Sequence, residues 1–334
     1  KNLKKISDPF VCNGKIRVHT ESGKPIYSDE ISVDILPPSY WGGEHKQPEL
    51  LAAFVKPRGI YVENLVREVT LLLEQSGFGR TVDGYQSKTR QKPYQMMSAL
   101  WSVIFSQKFS YVEAPRGFAK QGQRIRLAAD ISQFKNTACL DTSLLFASCL
   151  EYMGLNPVIA LTEGHAFAGA WLIESRFPIL TTDDPMDLRK RIDAKDLVLF
   201  ETTLVTNPTF VPFSEACAKG RDLISEEHEK EFVYLIDISQ ARTRKIRPMS
   251  TELERDIGEN ADIDSAVKVL PEAPYLPPVS VDEIIKPETP QTRIEMWQRR
   301  LLDLTKRNPL LNHSDRKVAV RLYCPDIATL EDML

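Results

Sequence analysis

The stretch that most restricts the possible folds lies between Cys139 and Phe200. From Cys139 to Met153 the apolar residues Leu140, Leu144, Leu145, Ala147, Leu150 and Met153 recur at about helical spacing, and Gly154 supplies a stop. This predicts a helix with Cys139 in its first turn. Two apolar runs come next, 157–161 and 166–173, and a third occupies 197–200. Each is too short for a helix and suits a buried strand. A helix that must share a core with several strands predicts an α+β domain in which the helix is borne on a sheet.

Three chemically capable side chains sit at the ends of these elements. Cys139 opens the helix, where the partial positive charge of the helix end favours a thiolate. His165 stands at the entrance of the second strand, and an imidazole there could serve as base and acid near neutral pH. Glu201 closes the run 197–200 and could fix the tautomer of the ring and stabilise its charged form. Asp183 and Asp184, in a turn before Pro185, are alternative carboxylates for that third role. Cys149, deep in the same helix, reads as core, and Cys217 has no recognisable partner. His228 falls in the charged run 226–231, which reads as a solvated helix face. No Cys/His cluster has zinc-ligand spacing and no Gly-rich phosphate loop occurs, so neither a metal nor an organic cofactor is expected.

These residues resemble the transglutaminase-like branch of the papain-like cysteine peptidase superfamily. The pattern is a Cys at a helix start (Cys139), a strand opening His-Ala-aromatic (His165-Ala166-Phe167) and a strand followed by an acidic residue and a Thr (Glu201-Thr202-Thr203). Phe167 stands where Trp is usual, and Glu201-Thr202 where Asp-Pro is usual. The resemblance implies a papain-like core, a helix-borne Cys packed on an antiparallel sheet. It also implies a thiol acyl-transfer reaction in which Gln133, six positions before Cys139, contributes to an oxyanion hole with the Cys139 amide.

The chain has 334 residues, enough for one sizeable core and smaller parts. A formal charge of -3 gives no electrostatic case for nucleic-acid binding by the whole chain. Five cysteines without regular spacing point to a reducing, cytoplasmic setting. No apolar run is long enough to span a bilayer, so no membrane partner is expected. The chain starts at Lys1 without Met and ends at Leu334, which reads as a piece of something longer.

Four regions emerge along the chain. Residues 1–45 read as β-strands, from the alternating segments 15–19 and 31–36 joined by a turn at 21–25. They suit the tail of an upstream β-sandwich or an edge packed on the adjoining domain. Residues 46–248 form the transglutaminase-like domain, with helical patterns at 50–55, 61–75 and from Tyr94, and an extended segment at 109–115. Arg124 and Arg126 read as surface or salt-bridging residues, with contact to an acidic substrate group as the alternative. Residues 249–291 are acidic and then proline-rich, the composition of an extended linker. Residues 292–334 begin with an amphipathic helix around Trp297 whose Arg299, Arg300, Lys306 and Arg307 face either solvent or a nucleic acid. The wording 297–312 resembles the start of an uncharacterised domain found ahead of superfamily 1 helicase motifs in large bacterial proteins, which implies the helicase region of a larger protein as a partner.

Hydrolysis of a peptide or isopeptide bond in a protein or peptide substrate is therefore the expected activity. Two alternatives stand beside it. One is a catalytically weak or inactive docking or regulatory module for the helicase region, and the other is a nucleic-acid-contacting accessory role for the C-terminal helix.

Overall fold

The computed structural model describes residues 6, 8–43, 47–113, 122–249 and 276. Its contacts divide the chain into two units, Lys1–Ile285 and Lys286–Leu334. The second unit lies outside the described residues, as do the linker 249–291, apart from Met249 and Leu276, and the helix expected around Trp297.

The first unit is a mixed α+β structure. Its centre is a five-stranded antiparallel sheet of order β10-β8-β7-β11-β9. The strands are β7 (Pro157–Thr162), β8 (His165–Trp171), β9 (Thr181–Thr182), β10 (Leu197–Phe200) and β11 (Phe232–Asp237). Glycines permit two of the closest features. Gly164 takes φ +73° in the tight turn joining β7 to β8, and at Gly169 a Cβ would lie 2.2 Å from the Val198 carbonyl oxygen of β10.

The central strands β7, β8, β10 and β11 are largely apolar because both faces are covered. On β7, Ile159 and Leu161 face one core with Cys139, Leu140, Leu144 and Ala147, while Val158 and Ala160 face another with Phe167, Trp171, Leu188 and Leu199. The helix α4 (Cys139–Tyr152) packs on the first of these faces. Two earlier helices, α1 (Ile60–Gln75) and α2 (Gln91–Ser106), cover its far side through Leu65, Val69, Trp101 and Ile104, which join Leu145, Phe146, Cys149 and Leu150. Enclosed on both sides, α4 buries every residue from Cys139 to Leu150. A helix that is apolar nearly all round has this fate.

Shorter elements complete the unit. A 3₁₀ helix, Pro48–Phe54, stands where the pattern at 50–55 predicted a helix. The extended segment after α2 becomes β4 (Ser110–Tyr111), and β5 (Gln123–Arg124) pairs with β3 (Tyr40–Trp41). Helix α3 (Ala128–Phe134) leads into β6 (Asn136–Thr137), which runs parallel to β4. The stretch 175–196 contains β9 and α5 (Pro185–Asp193), and α6 (Phe213–Asp222) and α7 (Ile238–Thr243) come after it. The charged run 226–231 is turn and bend, not the expected helix, and His228 Nδ1 lies 3.1 Å from the Asp222 carbonyl oxygen.

The N-terminal strands form a hairpin, β1 (Phe10–His19) with β2 (Pro25–Ile35). Its register gathers Phe10, Cys12, Ile16 and Val18 with Tyr27, Ile31, Val33 and Ile35 on one face. Nearly all of the hairpin is exposed, including Val11 at 60% and Ile26 at 65%.

Candidate active site

The N-terminus of α4 is built by a buried carboxylate. Asp141, in the first turn, accepts the Ala138 N–H at 3.0 Å, the Arg126 N–H at 2.9 Å and the Arg126 guanidinium at 2.9 Å. Complete burial pushes the Asp141 carboxyl up, against the pull of these donors. The result is a clamp on the residue immediately before Cys139. Arg126 is thus a salt-bridging residue, while Arg124 is exposed beside it in a cavity of about 410 Å³ with Tyr40, Asp130 and Phe134.

His165 begins β8 opposite Thr162, on the strand adjacent to β10. Its ring stacks on Phe167 two residues on, with centroids 6.2 Å apart. Nε2 lies 2.5 Å from Glu201 Oε2, which leaves Nδ1 for the Cys139 side chain, a group close enough to the ring to raise it. Glu201 is therefore long enough to reach the histidine from the end of β10. Its other oxygen, Oε1, accepts the Thr203 N–H at 2.8 Å and the Thr203 hydroxyl at 2.7 Å. Thr202 ties this corner back to the helix, with Oγ1 at 3.0 Å from Thr142 Oγ1 and 3.1 Å from Ser143 Oγ. The Ser143 hydroxyl in turn donates to the Cys139 carbonyl at 2.7 Å. Both threonines of Glu201-Thr202-Thr203 thereby fix the acid relative to the thiol.

The electrostatics derive from these contacts. Burial alone would lower the basicity of His165, but the hydrogen bonds and negative charge of Cys139 and Glu201 outweigh it and raise the ring to about 10. Burial would push Glu201 up, yet its bonds to His165 and Thr203 hold it below the usual carboxylate range. His165 and Glu201 are an ion pair at neutral pH.

Of the residues singled out in the sequence, the structure brings Cys139, His165 and Glu201 together. Asp184 caps α5, accepting the Met186 N–H at 2.9 Å, and Asp183 is exposed next to it. Gln133 lies on α3 with an exposed side chain, and no hydrogen bond joins it to the other three. Cys149 is fully buried, and desolvation pushes its thiol up. Cys217 is half-buried, and desolvation pushes its thiol up as well.

One residue of the site escaped the sequence. Tyr111, on β4, pairs with Thr137 two residues before Cys139, and burial and then the nearby charge of Cys139 raise its phenol to about 12. The only signal was its place in an extended segment upstream of the helix. The strand pairing that delivers it joins two-residue segments far apart in sequence.

Among the described residues no group of three His, Cys, Asp or Glu side chains is placed to hold a metal ion. No helix among them is long and apolar enough to cross a membrane.

A family model described as a protein of unknown function, DUF4011, matches residues 300–334. That segment lies in the second unit, outside the described residues. No curated protein matches the chain, and no solved structure does.

Proposed function

We propose that the first unit is a transglutaminase-like domain that transfers acyl groups through Cys139, with hydrolysis of a peptide or isopeptide bond as its reaction. The observation that carries this reading is the single imidazole of His165, held at 2.5 Å by Glu201 and close enough to the Cys139 side chain for that group to raise it. A helix-borne Cys on an antiparallel sheet, with the acid on the strand next to the histidine, supports the same reading.

In this scheme the proton of the Cys139 thiol already rests on His165, and the sulfur attacks the carbonyl carbon as a thiolate. The tetrahedral intermediate collapses with cleavage of the C–N bond, and His165 protonates the departing amine. Water, deprotonated by His165, then attacks the thioester and regenerates the thiol. Glu201 keeps Nε2 protonated and Nδ1 turned to the sulfur throughout. Water is the simplest acceptor because it needs no second binding site. The substrate is a protein or peptide, and the helicase region of a larger protein is the partner that the C-terminal segment suggests.

The test is an electrophilic thiol probe applied to the folded full-length chain, with labelled peptides mapped. Fast labelling confined to Cys139, and lost in His165→Ala, is expected. Equal labelling of all accessible cysteines would overturn the reading.

A further inference from the structure

Resting on the acyl-transfer reading above, we propose that the cavity beside the start of α4 is a subsite for a carboxylate of the substrate, bound by Arg124. The preferred substrate then carries an acidic side chain close to the bond that is cleaved. The cavity measures about 410 Å³ and is lined by Tyr40, Gln123, Arg124, Arg126, Asp130 and Phe134.

Hydrogen bonds place this cavity next to the nucleophile. Asp141 Oδ2 accepts the Arg126 guanidinium at 2.9 Å and the Ala138 N–H at 3.0 Å, so a single oxygen joins the cavity wall to the residue before Cys139. Asp141 Oδ1 accepts the Arg126 N–H at 2.9 Å and ties the backbone of the wall to the same carboxylate. Ile125, between the two arginines, is 1% exposed and packs in one cluster with Cys139 and Leu140. On the opposite side the wall is Phe134, from which the short run 135–138 leads to Cys139.

The charges around the cavity are matched except at Arg124. Arg126 pairs with Asp141. Asp130, the acidic side chain of the wall, accepts the Leu127 N–H through Oδ2 at 3.2 Å. Arg124 is exposed and has no hydrogen bond or ion pair among the described residues. Its planar guanidinium presents paired N–H donors in the geometry that a carboxylate accepts. The neutral wall favours the same occupant. Gln123 is 4% exposed, and neither Oε1 nor Nε2 of its amide has a hydrogen-bond partner. Native proteins leave few buried amides unpaired because each is costly, and an acceptor oxygen in the cavity gives Nε2 a partner. Phe134, 60% exposed, and Tyr40 offer apolar surface to the methylenes of an acidic side chain. A cationic or wholly apolar occupant would leave Arg124 unmatched.

The experiment compares acyl donors that differ only in charge. p-Nitrophenyl esters of acetyl-Glu-Gly and acetyl-Gln-Gly, and of acetyl-Glu-Gly-Gly and acetyl-Gln-Gly-Gly, set the carboxylate or its amide at two distances from the reacting carbonyl. The Cys139 thiolate adds to that carbonyl and the ester C–O bond breaks. p-Nitrophenolate leaves with the electron pair, and the acyl group becomes a thioester on Cys139. Acylation is followed in the full-length chain, with the rate in Cys139→Ser subtracted. In the wild type, kcat/KM for the Glu ester should exceed that for its Gln counterpart by about 10-fold at one length or both. Arg124→Gln should bring this ratio to about one, and Arg124→Glu should invert it. Raising the salt concentration should shrink the wild-type ratio. A ratio of one in the wild type at both lengths would overturn the proposal. So would a ratio that survives in Arg124→Gln, even with lower rates throughout, because the arginine would then support the fold and not the charge of the substrate. Both outcomes leave Cys139 as the nucleophile. A wild-type Cys139 that takes an acyl group from none of the esters would instead overturn the acyl-transfer reading, and the subsite with it.

Discussion

The two ends of α4 carry the same functional group in nearly the same degree of burial, and they differ in everything else. Cys139 is 5% exposed and Cys149 0%. Around Cys149 the cluster is made of Leu, Val, Trp and Phe side chains, and burial raises its thiol with no opposing contact. Around Cys139 stand an imidazole, a phenol and, one bond beyond, a carboxylate. Solvent exposure therefore does not distinguish a nucleophile from a core cysteine here. What distinguishes them is the set of polar groups that the fold brings to one helix end.

The largest expected effect is a direct contrast of the two thiols. Cys139→Ser should abolish fast labelling by an electrophilic probe while leaving the melting temperature close to that of the wild type. Cys149→Ala should do the reverse, keeping the labelling rate and costing about 1 kcal/mol for the lost sulfur contacts. A labelling rate that responds to both substitutions equally would erase the distinction between the two ends.

Next in size is Glu201→Gln. The amide can keep a hydrogen bond to Thr203 but cannot stabilise the charged ring, and it can favour the wrong tautomer. Acylation by p-nitrophenyl acetate should fall about 10⁴-fold, by analogy with the loss seen when a triad carboxylate becomes an amide. An unchanged rate would show that the thiol and imidazole suffice without the acid.

The same pair sets a pH dependence of stability. His165 is raised in the folded chain to about 10, so its contribution is fully present below its unfolded value near 6.5 and is lost as pH climbs through about 10. Glu201 is lowered, so its contribution is present above its unfolded value near 4.5 and is lost as pH falls through the folded value. The pair stabilises most between those two unfolded values. Melting curves at pH 5.5 and 9.5 should show a drop in the wild type that is reduced in Glu201→Gln. Equal drops in both proteins would place the titration elsewhere.

Much of this contrast was legible in the chain because it rests on local patterns. The helix from Cys139, the strands bearing His165 and ending before Glu201, and the apolar surroundings of Cys149 all derive from residue spacing and stop signals. Tyr111 was not legible, because the β4–β6 pairing links residues brought together by α3 and the segment before it. Gln133 illustrates the opposite limit. Its spacing from Cys139 fits the expected role, but α3 ends at Lys135 with φ +53°, and the chain turns into β6. That turn leaves the Gln133 side chain exposed. The hairpin of β1 and β2 was readable as strands from alternation alone. Its apolar face, however, meets no core among the described residues, so nothing in the pattern could indicate what it packs on.

The smallest expected effect concerns the carboxylate that the sequence offered in place of Glu201. Asp184 accepts the Met186 N–H as the N-cap of α5, on a segment whose Leu188 joins the core on the other face of the sheet. Replacing Asp184 with Ala removes one capping bond and should cost about 1 kcal/mol, within the usual range for an N-cap. Its separate task as a cap predicts that labelling and acylation of Cys139 remain at wild-type rates. The measurement is a pair of denaturation curves with the two rate constants taken on the same samples. A fall in acylation with no loss of stability would give Asp184 a place in the chemistry and make Glu201 a structural partner of His165. A loss of stability alone would leave the acid where the hydrogen bonds put it, at the end of β10.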